Sequence, residues 1–363
     1  MLALVVLHAG PPAAAETLPE SMQRIEQALA AGRAQQAETL ARQVIRGHPG
    51  FAEAHGELAR ALEAQGRTSE ALAVLLEVGQ GLAHAELAAE GAAYLERAVR
   101  LAPGSAGAHA ALGHALLGSR AYARAAEHLQ RAMELGERGL AVRIYLGSAL
   151  WESGQGEDAE SVLRDALKLE RSLPALQTLG GFLVWRGAFD EAIGLLEEAS
   201  ALDRGSVPLM LDLGRALDGA GRIDAAVELY RRVAGIDPSL SEPHYVLARL
   251  LRAGGDSAAA RQEMEAFRRL HAREQQRTHE LSLHRATLDA GWELLRQGRL
   301  EAAESHFRRL PESVDSFSGL AAVQRAAGDH DAEVRTLERA LSLAPQRFDL
   351  KLKLARARMA ASP

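Results

Sequence analysis

An alanine that follows a short turn and opens a helical pattern recurs along this 363-residue chain, most often as Gly-x-x-x-x-Ala. The copies are Ala37, Ala71, Ala125, Ala159, Ala192, Ala226, Ala260 and Ala303, at intervals of 34, 54, 34, 33, 34, 34 and 43 residues. A period of this length marks a stack of equivalent units, each large enough for two helices and their turns. One such unit cannot bury its own apolar face, so the period dictates stacking. It points to binding of other macromolecules as the class of function, without naming the partner.

Composition narrows the secondary structure and the partners. Aromatic residues are 4% of the chain, and strand formers are scattered singly rather than alternating. Helix formers fill the segments between Gly and Pro punctuation, so an all-helical chain is expected. A net charge of −6 and a pI near 6.1 offer no general attraction to phosphate backbones, and nucleic acid is not an expected partner. The absence of cysteine excludes disulfides and thiolate metal sites, and the absence of asparagine excludes N-glycosylation.

The chain starts MLALVVLHAGPPAAA. Leu2 to Ala9 is an apolar run of signal-peptide length, too short to span a bilayer, and Ala13-Ala14-Ala15 fits small-x-small cleavage. No Lys or Arg precedes that run. Residues 1–17 are therefore read as a signal peptide or a disordered tail. The first reading sends the chain to the periplasm or another extracytoplasmic compartment, and the second leaves it cytoplasmic. No later segment is apolar enough for a transmembrane helix.

Residues 207–240 show the unit clearly: VPLMLDLGRALDGAGRIDAAVELYRRVAGIDPSL. Met210, Leu213, Gly214 and Leu217 share one helical face, and Gly219 and Gly221 interrupt it. Ala226, Leu229, Tyr230 and Val233 line a second helix, which Asp237-Pro238 ends. The unit resembles the tetratricopeptide repeat. The same resemblance is traced through residues 18–51, 52–85, 106–139, 140–172, 173–206, 241–274, 284–313 and 314–346. The family's first-helix glycine is matched by Gly113, Gly147, Gly180, Gly214 and Gly291, with Ala59, Ala248 and Ala321 as substitutes. Pro49, Pro238 and Pro345 match its closing proline. The resemblance implies an all-α, right-handed superhelical α-solenoid of about nine hairpins over residues 18–346.

Several stretches depart from the pattern. Arg24 and Ile25 stand where Leu-Gly is expected, and Glu333 stands where the second-helix alanine is expected. Both lie in terminal repeats, where one face commonly meets water. Residues 347–363 begin RFDLKLKLARARMA, with Phe348, Leu350, Leu352 and Leu354, and read as a capping helix and tail. The 54-residue interval is read either as about 20 inserted residues near 86–105, ending in a second helix without its first, or as a divergent repeat whose boundaries are displaced. The 43-residue interval is read as nine inserted residues near 275–283, on a polar helix running from about Ser257 to Leu281.

No catalytic or metal constellation emerges. His279-Glu280 followed by His284, like His109 with His114, is spaced five residues apart. The zinc motif needs two histidines four apart on one helical face. No Gly-x-Ser-x-Gly elbow or P-loop is present, and carboxylates sit beside arginines on helix faces. No cofactor is expected.

The resemblance implies that the first helices of successive hairpins line a concave groove. Carried onto this chain, the partner-facing residues are Tyr145 and Trp151, then Gln177 and Trp185, then Asp212 and Arg215. Tyr245, Arg249 and Arg252 follow, and Trp292 stands further on. Aromatic and Arg residues are the usual anchors of interfaces. The family's carboxylate clamp uses Lys and Asn, which the matching positions lack. The leading expectation is a non-catalytic scaffold for protein or peptide segments, serving as a bacterial envelope assembly factor if exported. The alternatives are an accessory subunit of an enzyme or of a polysaccharide or protein secretion complex, and an enzyme with an unrecognised site.

Overall fold

The structure is a computed structural model that describes residues 18–84, 87–345 and 347–361. The leader read at Met1–Ala15 lies outside the described residues. Those residues form nineteen helices and no strand. The first five are α1 (Leu18–Ala30), α2 (Ala34–Gly47), α3 (Ala52–Ala64), α4 (Thr68–His84) and α5 (Ala88–Leu101). A regular series follows: α6 (Ala106–Gly118), α7 (Tyr122–Glu134), α8 (Leu140–Glu152), α9 (Gly156–Leu169), α10 (Leu173–Arg186), α11 (Phe189–Leu202), α12 (Val207–Gly219), α13 (Ile223–Ile236) and α14 (Ser241–Ala253). The chain ends with α15 (Ser257–Arg296), α16 (Leu300–Arg308), α17 (Val314–Ala326), α18 (His330–Leu343) and α19 (Phe348–Ala361). Two compact units result, one of Met1–Val74 with Ser282–Pro363 and one of Leu75–Leu281.

Five of the hairpins close around the first-helix glycine that the sequence singled out. A Cβ on Gly113 would lie 2.4 Å from Leu129, on Gly147 2.4 Å from Leu163, and on Gly180 2.8 Å from Leu196. Gly214 meets Tyr230 and Gly291 meets Phe307 in the same way, each at 2.8 Å. The large side chain of the second helix thus occupies the volume a Cβ would take, and the helices interlock at close range. The facing second-helix alanines, from Ala37 to Ala303, are buried to within a few per cent.

The turn inside a hairpin reverses the chain through one left-handed residue. Gly154 has φ +85°, its N–H donates to Trp151 O at 2.9 Å, and Gln155 N–H donates to Leu150 O at 2.8 Å. This closes the last carbonyls of α8. Ala125 lacks the preceding glycine. Arg120 takes that place with φ 60°, the one non-glycine of positive φ among the described residues. Its Cβ makes this conformation costly.

The first break resolves as the divergent repeat, and the second runs further than the sequence expectation. The helix in the 54-residue interval, α5, is not unpaired. A Cβ on Gly79 of α4 would lie 2.5 Å from Leu95, and one on Gly91 of α5 would lie 2.5 Å from the Gly79 carbonyl. Gly91 therefore does the work of a second-helix alanine, and Pro103 closes the unit. The early part of α4 follows α3 through the same kind of turn, with Gly66 at φ +74° and Ala71 fully buried. One helix serves two hairpins, so the chain lacks a helix here rather than carrying an insertion. Nor does the second break end near Leu281: α15 continues unbroken to Arg296 and supplies Gly291 to the next hairpin. Counting both shared helices, ten pairings replace the nine hairpins read from the sequence.

The terminal departures also find their reasons within the first unit. Ile25 is fully buried, so the first hairpin fills its small-residue position with a large one. Glu333 is 1% exposed, and its carboxylate accepts from Arg325 Nε at 2.7 Å and faces His330 Nδ1 at 3.2 Å. Paired in this way, a carboxylate is tolerated at an apolar position. In α19, Leu350, Leu354 and Ala357 pack with Phe317, Ala321, Leu337 and Ala340. The same helix also meets α1, so its surroundings are not the last hairpin alone.

Candidate binding groove

Helices α8, α10 and α12 are the first helices of three successive hairpins in the second unit, and α10 touches both others. Their inner faces are spent on hairpin packing through Gly147, Gly180 and Gly214. Neighbouring faces of the same helices line an open recess of about 530 Å³. Trp151 and Glu152 border it from α8, Gln177, Gly181 and Trp185 from α10, and Asp212 and Arg215 from α12.

The two indoles form its apolar wall. Their ring centroids are 6.4 Å apart with planes at 52°. Both rest on buried Phe182, Trp151 edge-on at 5.8 Å and Trp185 tilted at 5.8 Å. Trp185 remains 62% exposed although it is anchored on that ring. Large aromatic area left in solvent on a rigid base is what an interface anchor requires.

The polar wall is a chain of charges. Arg215 donates from Nη1 to Asp212 Oδ1 at 2.8 Å. Its Nε and Nη2 donate to Glu242 Oε1 at 2.9 and 2.7 Å. Burial pushes the Asp212 carboxyl above its ordinary value, against the pull of Arg215. Gly181 is the floor. A Cβ there would lie 3.7 Å from Trp151 Cη2 and 3.9 Å from Asp212 Oδ2, so any side chain would grow between indole and carboxylate.

The structure thus brings together Trp151, Gln177, Trp185, Asp212 and Arg215. The other residues expected at the groove lie elsewhere. Tyr145 stacks on His114 at 4.5 Å, and His114 in turn faces His84 at 5.5 Å. Tyr245 leans on Phe267 at 5.2 Å, and Arg249 is paired with Asp218. Arg252 borders a separate recess of about 460 Å³ with Arg261 and Arg268. Trp292 belongs to the first unit and packs edge-on against Phe307 at 5.2 Å. Sequence reasoning missed Gly181, although its pairing with Gly180 was a usable signal: hairpin packing accounts for one glycine of the two. It also missed the contact of His109 Nδ1 with His128 Nδ1 at 3.0 Å, which joins two helices rather than two sites on one. Among the described residues, no group of three or more His, Asp or Glu is placed to hold a metal ion.

Family profiles described as tetratricopeptide repeat match residues 28–88, 116–180 and 185–234, then 241–266, then 288–348. The chain belongs to the tetratricopeptide repeat family. Such repeats mediate protein–protein interactions, and the general function of this chain is that of a protein-interaction scaffold. A comparison with curated proteins returned no match. Among solved structures, one described as MamA 41-end from Desulfovibrio magneticus RS-1 is 20% identical. It covers 46% of this chain and 95% of its own, with a TM-score of 0.44. One titled for the functional characterization of Pseudomonas aeruginosa pilF is 21% identical, covering 56% and 94%, with a TM-score of 0.48. No helix among the described residues of this tetratricopeptide-repeat chain is long and apolar enough to cross a membrane.

Proposed function

We propose that this chain is a non-catalytic scaffold that holds a segment of a partner protein in the groove of α8, α10 and α12. The observation that carries this reading is the pair of half-open indoles, Trp151 and Trp185, seated on Phe182 beside a polar wall. A photo-crosslinking residue at Gln177 of the full chain in its native host tests it. Capture from that position should exceed capture from exposed Glu134, and Trp151→Ala with Trp185→Ala should abolish it. Equal capture from both positions, or capture indifferent to the tryptophans, would overturn the groove. The same experiment separates a free-standing scaffold from an accessory subunit, since the captured chain would then be an enzyme or a secretion component.

Export is part of the proposal, supported by the apolar run Leu2 to Ala9 and the alanines after it. Together they make the chain an assembly factor of the bacterial envelope. The mass of the mature protein decides it: removal through Ala15 is expected, and an intact cytosolic N-terminus would refute it.

A further inference from the structure

Resting on that groove reading, we propose that the recess takes an arginine side chain presented by the partner segment. Four observations lead there. Asp212 Oδ2 faces the space above Gly181, and no donor among the described residues reaches it, Arg215 being bound to Oδ1. Glu152 on the rim has no partner among the described residues either. Arg215 is the one cation lining the recess among the described residues, and Asp212 and Glu242 occupy its donors, so it has little left for an incoming acid. Two carboxylates thus hold the Arg215 guanidinium, and Glu152 adds a third negative charge on the rim.

The shape selects among cations. A guanidinium is planar, stacks on aromatic faces and donates through a fork. A side chain seated above Gly181 meets both the Trp151 indole and the free Asp212 oxygen, each within 4 Å of the point a Gly181 Cβ would occupy. An acidic segment would meet like charge at Glu152 and Asp212. An uncharged apolar segment would strip water from Asp212 Oδ2 and return no donor, at real cost. Burial already holds the Asp212 carboxyl up, and an adjacent cation relieves that penalty.

The test uses the full chain labelled at tryptophan Nε1, whose three indole signals are assigned with Trp→Phe variants. The probe is acetyl-Gly-Ser-Gly-Arg-Gly-Ser-Gly-amide, against the same peptide carrying citrulline, its neutral isostere. The arginine peptide should move the Trp151 and Trp185 signals and leave Trp292 in place, with binding weakened by salt. Citrulline should bind about tenfold more weakly, the loss of one cation–π and carboxylate contact. Asp212→Asn and Glu152→Gln should each weaken the arginine peptide several-fold. Glu152 has no partner to lose, so its variant keeps the test valid if Asp212→Asn perturbs folding. Equal binding of both peptides, an equal shift at Trp292, or no movement of either groove indole overturns the arginine assignment. None of these outcomes touches the groove reading, which falls only if crosslinking from residue 177 fails.

Discussion

Helices α4 and α15 solve the same problem at opposite lengths. Each is the second helix of one hairpin and the first helix of the next. On α4 the two packing residues, Ala71 and Gly79, are eight positions apart. At roughly 100° per residue they point about 80° apart, so two faces of a 17-residue helix are both covered. On α15 the corresponding residues, Ala260 and Gly291, are separated by 31 positions of a 40-residue helix. Between them lies a solvated stretch in which Leu281 and Leu283 are 63% and 60% exposed. The division into two compact units falls inside both helices. A missing helix is absorbed by tight double packing, and surplus residues are absorbed by leaving a helix in water.

That contrast breaks first at Gly91. Gly91→Leu would drive a side chain into the Gly79 carbonyl, which no rotamer change relieves. It should cost about 3 kcal/mol or more, read by chemical denaturation. Retained stability would mean that α4 and α5 do not interlock.

A second effect is set by pH in the same dense stretch. Burial, reinforced by His84, holds the His114 pKa below 6.5, and burial reinforced by His109 does the same for His128. Both are then neutral when folded at a pH where the unfolded chain takes up protons. Stability should fall as pH drops through 6.5 toward the lower folded values. Thermal melts from pH 7.5 to 5.5 would show it, and a His114→Gln/His128→Gln chain should have a flatter profile. An unchanged slope would assign the acid sensitivity elsewhere.

Smaller changes sharpen the picture. Arg120→Gly should raise stability by about 1 kcal/mol by removing a Cβ from a left-handed residue. Gly81→Ala on α4, where no atom lies within 4 Å of the new Cβ, should raise it by up to about 1 kcal/mol. Least of all, Leu281→Gln with Leu283→Gln on α15 should stay within about 0.5 kcal/mol of the parent. A larger loss there would show that this stretch is packed rather than solvated.

The regular hairpins were legible because their packing is local: a small residue on one helix answers a large one sixteen positions later, as Gly147 answers Leu163. The shared helix α4 was misread because Gly91 replaces alanine, so a count of alanines passes over it. Glycine meets the same steric need with more room, a fact visible only with Leu95 and Gly79 in place. Of the groove, the sequence placed five residues that the fold gathers. It placed Tyr145, Tyr245, Arg249 and Trp292 beside them because repeat position says which face a residue is on. It does not say whether His114, Phe267, Asp218 or Phe307 will occupy it.

By itself, then, the sequence determined an all-helical stack, its approximate register and its family. Those follow from periodicity and from residue size at fixed offsets along one chain. Only the tertiary structure decided which helices are used twice, which residue takes a left-handed turn without glycine, and which aromatic rings are left open. The first and last of these depend on neighbours from other hairpins, and the turn on backbone bonds that residue type alone does not set. Trp151 and Trp292 each lean edge-on on a phenylalanine, yet only Trp151 has a second indole, Trp185, beside it to form the wall of a recess.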